Sequence, residues 1–393
     1  MQLKVSSSGS LMVKFKLPRV DWSPVELASR LTRRGVAYNF ASGSPDPGLI
    51  PVIDVKEAAE DVLSEYGSGA LSYPGAGGLR ELRVEVSRYL REYLGINADW
   101  RSIIVTSGAQ HAIKLLTQLL VRRGVRVYVE DPTFYETLSP FRFQGGRVIG
   151  VSLTNEGMLV NEVVKVIKEG DIVYTIPNCH NPTGVCMSDD NRRMLIEASE
   201  EKGFLIIEDD PYTVLSLKAP RPLRSVSSNV IYVGTFSKIL GPGLRIGFIV
   251  APNWLRGHLE RLEQHDFSTS TLTQLIVYKL LRSNTVDKVL GKARGIYEEK
   301  LRTLINALDE YLPNALQFKP ACGFYALVRL GVDAERLLRT TAKVGLTYVP
   351  ARRFFINGGF PDAARLSIGA IRPERIEDGV KLLSSLIKSA RSQ

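Results

Sequence analysis

Cysteine is scarce in this chain: three in 393 residues, at positions 179, 186 and 322, with no CxxC pair and no even set from which to build a disulfide framework. Their spacing predicts free thiols in a reducing compartment and no metal site. Long apolar runs are also missing. The leader MQLKVSSSGSLMVKFK has no unbroken apolar core of a signal peptide, and no later segment reaches the roughly 20 residues that a membrane-spanning helix needs. The expectation is a cytoplasmic protein with no membrane partner. Blocks of like charge are absent too. The 51 Lys and Arg exceed the 41 Asp and Glu by +10, but the densest basic spots are the pairs Arg33-Arg34, Arg122-Arg123 and Arg352-Arg353, without interleaved aromatics. Scattered charge marks solvated surface, so no nucleic-acid partner is expected. The chain shows no internal repeat and no low-complexity tract.

What is present is ordinary globular composition, 44% hydrophobic and 23% charged, in a chain long enough for two domains. Ser23-Pro24-Val25-Glu26 has the form of a capping box and predicts a helix to about Arg34, ended by Gly35. A short strand then enters the Gly/Pro-rich loop Ser42 to Pro51. Helical spacing covers Ile53 to Tyr66 and Leu79 to Leu94, around a glycine-rich loop that holds Tyr73. From Ile103 onward, β-branched runs alternate with helices: strands are predicted at Ile103 to Gly108, Val125 to Asp131, Gly146 to Leu153, Asp171 to Pro177, Gly203 to Asp210 and Val230 to Ser237. This alternation predicts an α/β fold with a mostly parallel sheet covered on both faces. A long helix from Thr285 to Leu312 and strands in CGFYALVRL and ARLSIGA, with a last helix over Pro373 to Ile387, predict a smaller α+β domain. The expected division is 1–44 joining the small domain, 45–288 the large domain and 289–393 the small domain.

Several polar turns fall at the carboxyl ends of these strands, where open α/β sheets place ligands. Ser107-Gly108-Ala109-Gln110 opens a helix whose free N–H groups suit a phosphate, and it also reads as plain capping. Asn181-Pro182-Thr183-Gly184 is a tight turn beside a side-chain amide. Glu208-Asp209-Asp210 sets three carboxylates together, an arrangement that favours a nearby cation. In VIYVGTFSKILGPGLRIGFIVAP, Lys238 sits on a turn among Thr235, Ser237 and Arg245; it reads either as a solvated lysine or as an amine nucleophile beside an anion site.

Taken jointly and in this order, NPTG, DDPY and TFSKILGPGLRIG, preceded by SGAQ and followed by ARLSIG, resemble the class I/II aminotransferases, pyridoxal-phosphate enzymes of fold type I. The likeness runs from about Asn39 onward. FASGSPDP, LSYPGAGGLR and EDDPY are most similar to the subgroup of aromatic, 2-aminoadipate and kynurenine aminotransferases. The resemblance implies that Lys238 holds the cofactor covalently and shuttles the proton at substrate Cα. It implies that Asp209 pairs with the pyridine nitrogen, that Asn181 and Tyr212 bond the phenolic oxygen, and that Phe134 stacks on the ring. Ser107, Gly108, Ala109, Gln110, Thr235, Ser237 and Arg245 would hold the phosphate, with Tyr73 reaching it from the other subunit of a homodimer. Arg365 would grip the substrate carboxylate, with Asn181 and the backbone of Gly43 also touching substrate. Glu208, Asp210, Cys179 and His180 are given no catalytic role, and no metal is implied.

The implied activity is transfer of an amino group from an L-amino acid (aromatic, 2-aminoadipate or branched-chain) to a 2-oxo acid such as 2-oxoglutarate, in ping-pong half-reactions. The alternatives are a β-lyase on the same scaffold and a ligand-sensing regulator. The regulator would need an N-terminal DNA-binding domain, for which fewer than about forty residues precede the similar region. Arg19 and Arg30 are the candidates for a distal substrate carboxylate.

Overall fold

The computed structural model describes residues 22–31 and 36–392. An eight-stranded sheet forms the centre, in the spatial order Ile103–Thr106, Gly247–Val250, Ile231–Thr235, Leu205–Asp210, Ile172–Thr175, Arg126–Asp131, Arg147–Thr154 and Gly157–Met158. The five strands from Ile231–Thr235 to Arg147–Thr154 are mutually parallel. Gly247–Val250 runs antiparallel to both of its neighbours, and Gly157–Met158 is antiparallel to Arg147–Thr154. The central strands are buried on both faces, which is why they read as continuous apolar runs rather than alternating ones.

The reversal of Gly247–Val250 has a direct effect on the ligand edge. Its first residue pairs with Thr235 on one side and Thr106 on the other, so its beginning meets the carboxyl ends of its neighbours. Arg245 therefore arrives at the same edge as Ser107, Asp209 and Lys238.

A three-stranded antiparallel sheet places Ala363–Ser367 between Tyr325–Arg329 and Val349–Pro350. Tyr38–Asn39 pairs in parallel with Leu346–Thr347, and Ala28, Phe40 and Ala41 share a core with Leu304, Leu327, Leu366 and Leu383. The 27-residue helix Thr285–Tyr311 joins the two regions: Val289, Ala293 and Tyr297 pack with the large sheet's cluster, Leu301, Leu304 and Leu308 with the other.

Element positions follow the sequence pattern closely, with small shifts at the ends. The helix predicted from Ser23 spans Pro24–Leu31, and the predicted stop at Gly35 lies outside the described residues. Only half of the capping box forms. The Glu26 N–H donates to Ser23 Oγ at 3.0 Å, while the Glu26 carboxylate accepts from Arg30 Nε at 3.1 Å instead of returning to the cap. The last helix is Ile376–Arg391, preceded by a short turn over Pro373–Arg375.

The cysteine expectation is overturned. Cys179 and Cys322, 143 positions apart, form a disulfide, and Cys186 is free. The backbone explains the meeting: the Gly184 carbonyl accepts from Ala321 N at 2.8 Å and Cys322 N at 3.2 Å, docking the two loops. Linear spacing carries no trace of that contact. Among the described residues no helix is long and apolar enough to cross a membrane.

Candidate active site

The carboxyl edge of the large sheet and the Ala363–Ser367 strand enclose a cavity of about 450 Å³. Lys238 lines it from the turn after Ile231–Thr235, and its Nζ donates to the Gly43 carbonyl at 2.7 Å. Burial pushes this amine below its usual pKa, and Arg365 and Arg245 add to the effect. A sheltered amine sheds its proton more readily than a solvated one, which favours its use as a nucleophile.

At the inner end, Asp209 lies in the last turn of the strand Leu205–Asp210. Its Oδ2 accepts the Tyr174 hydroxyl at 2.7 Å, whereas its Oδ1 is buried and has no partner. Burial raises this carboxyl to about 6, against the Tyr174 hydrogen bond that lowers it. Its two neighbours are satisfied by the protein. Glu208 accepts the backbone N–H of Leu223 at 2.7 Å and of Arg224 at 2.9 Å, and Asp210 accepts from Thr213 Oγ1 at 2.6 Å and Tyr232 Oη at 3.0 Å. Asp209 alone of the three faces the cavity with an open acceptor.

The opposite end is an anion cradle. Ala109 and Gln110 begin the helix Ala109–Leu120, so their N–H groups lie among those that no helical carbonyl can satisfy. Gly108 caps it at φ 76°, and a Cβ there would lie 2.4 Å from Arg245 Nη2. Glycine is required both by the backbone angle and by the close approach of the guanidinium. Arg245 Nη2 donates to the Ser107 carbonyl at 3.0 Å, and the Thr235 hydroxyl lies 2.9 Å from Ser237 Oγ. A guanidinium, two hydroxyls and a helix N-terminus converge on one end of the cavity.

Arg365 is 1% exposed, held between the Asn181 Oδ1 at 3.2 Å and the Ala41 carbonyl at 3.0 Å, with Tyr325 stacked 4.5 Å from the guanidinium carbon. Its Nε has no partner. Phe134 and Tyr212 line the walls, and the Tyr212 hydroxyl lies 3.0 Å from that of Tyr325.

Of the sequence-derived cofactor and substrate candidates, all but Ser107, Gly108, Tyr73, Arg30 and Arg19 line this cavity. Ser107 and Gly108 form the turn beneath Arg245. Tyr73 stands elsewhere, 82% exposed, with its ring 5.2 Å from that of Phe267. Arg30 is turned away: it pairs with Glu26 and stacks 3.6 Å from the Trp22 ring, so as described it does not reach a distal carboxylate. Arg19 lies outside the described residues. The sequence reading missed Tyr174 and Tyr325, which it treated only as strand residues. A phenol in a fully buried strand needs a polar partner, and that need was the available signal.

These groups fit pyridoxal phosphate. The orphaned Asp209 Oδ1 suits a protonated ring nitrogen, the cradle suits a phosphate, and Lys238 lies between them. The chain matches the family profile "Aminotransferase class I and II" over residues 37–383. It is 32% identical to aromatic-amino-acid aminotransferase 1 of Thermococcus litoralis, covering 91% of this chain and 90% of that one. Among solved structures, it is similar to kynurenine aminotransferase of Pyrococcus horikoshii in complex with PMP, with TM-score 0.86, 29% identity, and 94% and 95% of the two chains covered. It is equally similar to LysN, an alpha-aminoadipate aminotransferase of Thermus thermophilus complexed with N-(5'-phosphopyridoxyl)-L-leucine, with TM-score 0.86, 30% identity, and 95% and 96% covered. The chain thus belongs to the class I and II aminotransferases, enzymes that transaminate amino acids with pyridoxal phosphate as cofactor.

Proposed function

We propose that the chain transfers the amino group of an L-amino acid with an aromatic or other large uncharged side chain to a 2-oxo acid. The observation that carries this reading is the charge of the cavity wall. Its only cations among the described residues are Lys238, Arg245 and Arg365, and this reading assigns them to the proton transfer, the phosphate and the α-carboxylate, which leaves none for a side-chain carboxylate. The rest of the wall carries no further cation: it mixes the apolar or aromatic Val25, Ala41, Phe134, Ile176 and Tyr325 with the uncharged polar Ser29, Asn39, Ser42 and Ser44. The T. litoralis and P. horikoshii relatives, named for aromatic amino acids and kynurenine, support the same class.

When bound, pyridoxal phosphate supplies an electron sink for the substrate's Cα. The residues divide the remaining work. Asp209 Oδ1 would hold the ring N–H, with Tyr174 fixing the carboxylate, and Asn181 and Tyr212 would bond the phenolic oxygen. Phe134 packs on the ring. Arg245, Thr235, Ser237 and the turn Ser107 to Gln110 hold the phosphate. Arg365 orients the α-carboxylate, with Asn181 and Gly43 beside it, and Lys238 Nζ moves the proton at Cα.

The test is a panel of amino donors followed as loss of the visible absorbance of the loaded enzyme. Phenylalanine, tyrosine and leucine are expected to bleach it faster than glutamate or 2-aminoadipate, and the reverse order would sink the substrate assignment. Lys238→Ala is expected to lose activity by about 10²–10⁴-fold, and a variant with full turnover removes the assigned proton carrier.

The proposal includes a homodimer in which Tyr73 reaches the partner's phosphate site. Tyr73, Leu71, Val52, Ile53 and Phe267 are all exposed apolar or aromatic groups, more than a lone subunit gains from leaving in water. Light scattering of the purified protein should give twice the 43.6 kDa chain mass. The domain division 1–44 with 289–393, against 45–288, is part of this reading; the long helix crosses its boundary, with Val289 to Tyr297 in the large sheet's core and Leu301 onward in the other. Also part of this reading is a cytoplasmic location, where the Cys179–Cys322 bridge has to survive a reducing thiol pool; cell fractionation tests it.

A further inference from the structure

Three sulfurs cluster beside the Asn181 turn, and none of them lines the cofactor cavity. Cys179 precedes Asn181 in the same turn, Cys322 precedes Tyr325 on the facing strand, and the disulfide between them ties the two sides together. Cys186, at the far end of the turn, has its Sγ 3.4 Å from Cys322 Sγ and accepts the Cys179 N–H at 3.4 Å. All three sulfurs lie within 4.8 Å of one another. Cys322 also lines a second cavity of about 510 Å³, whose wall carries Lys218, Arg294 and Arg302 against the single carboxylate of Glu298. Cys179 is fully buried, so Cys322 is the end of the bridge that faces an entry route.

We propose that Cys179, Cys186 and Cys322 form a thiol–disulfide exchange site, entered through the basic cavity at Cys322 by an anionic low-molecular-weight thiol. The incoming thiolate bonds to Cys322 Sγ, the Cys179–Cys322 bond breaks, and its electron pair leaves on Cys179 Sγ. That new thiolate takes the proton of Cys186. The Cys186 thiolate so formed attacks Cys322 Sγ and expels the small thiolate, closing a Cys186–Cys322 bridge. No net oxidant or reductant is consumed, and the small thiol is returned. Burial pushes the Cys186 thiol above its usual pKa, which keeps it protonated while Cys179 is still bridged. The product differs from the start in one respect: the Cys179 end of the Asn181 turn is released from the strand that carries Tyr325.

The experiment treats the holoenzyme with glutathione, or with uncharged 2-mercaptoethanol, then blocks free thiols and maps the pairs by peptide mass spectrometry. The starting protein is expected to show Cys179–Cys322, and the treated protein Cys186–Cys322 with a free Cys179. In Cys186→Ser no Cys186–Cys322 bridge can form; only return of the Cys179 thiolate can expel the glutathione, so rapid thiol blocking should trap it on Cys322 as a mixed disulfide with Cys179 capped. Arg302→Ala with Arg294→Ala should slow glutathione roughly tenfold and leave 2-mercaptoethanol unchanged. Three free thiols in the starting protein, glutathione on Cys179, or equal slowing of both reagents would each overturn the proposal.

Discussion

At Asp209 one carboxylate oxygen takes the Tyr174 hydroxyl and the other faces the cavity unpaired, inside a burial that raises the group to about 6. A ring N–H⁺ binds the anion, so binding lowers this pKa and requires proton release wherever the free group is protonated. Affinity of the cofactor-free protein for pyridoxal phosphate is therefore complete above about 6 and falls as pH drops below it, approaching tenfold per unit. Fluorescence titration from about pH 5 to 8 measures it, and Asp209→Asn should flatten the profile. Tyr174→Phe removes a hydrogen bond to the charged form, worth about 1.5–3 kcal/mol. The midpoint should then move to higher pH by about one unit or more. A purely structural tyrosine would weaken binding at every pH without moving the midpoint.

Elements decide where the proposed phosphate cradle sits. Three pieces of chain build it: the turn opening Ala109–Leu120, the turn after Ile231–Thr235, and Arg245 ahead of the reversed strand Gly247–Val250. The approach is so close that a Cβ on Gly247 would lie 2.6 Å from the Gly108 carbonyl carbon. Gly108→Ala adds a methyl at φ 76° against Arg245 Nη2. It should cost about 1–3 kcal/mol of local strain and loosen cofactor retention at least tenfold. Far-UV circular dichroism is expected to be unchanged, and equilibrium dialysis reads the retention. The turn itself was legible in SGAQ as the opening of a helix, but plain capping fits those four residues equally well, and the phosphate role came only from the joint resemblance of several motifs. The reversed strand was not. An apolar run such as Ile246 to Val250 looks the same in either direction, since alternation and burial carry no polarity.

At the scale of the whole molecule, Lys300 joins segments far apart in the chain. Its side chain is fully buried in the helix Thr285–Tyr311, and its Nζ meets Asp46 Oδ2 at 2.5 Å and the Ile368 and Gly369 carbonyls at 3.3 Å. It ties the Ser42 to Pro51 loop to the segment just past Arg365. Removing one partner of a buried pair strands the other, so Lys300→Met should cost about 3–5 kcal/mol. Scanning calorimetry should show the lowered Tm, and Asp46→Asn in the same chain should recover part of it.

The sequence by itself determined the alternation of strands and helices, the strand-end turns and most of the candidate residues that the structure gathers around one cavity. Those features are local: a turn, a cap or an apolar run is written in neighbouring residues and survives without knowledge of the rest. Only the tertiary structure decided that Tyr174 braces Asp209, that Tyr325 lies under Arg365, and that Arg30 turns to Glu26 and Trp22. It also decided that Cys179 meets Cys322 across 143 positions of chain. Such contacts depend on how distant elements dock, and docking is set by the packed cores rather than by the spacing of residues along the chain.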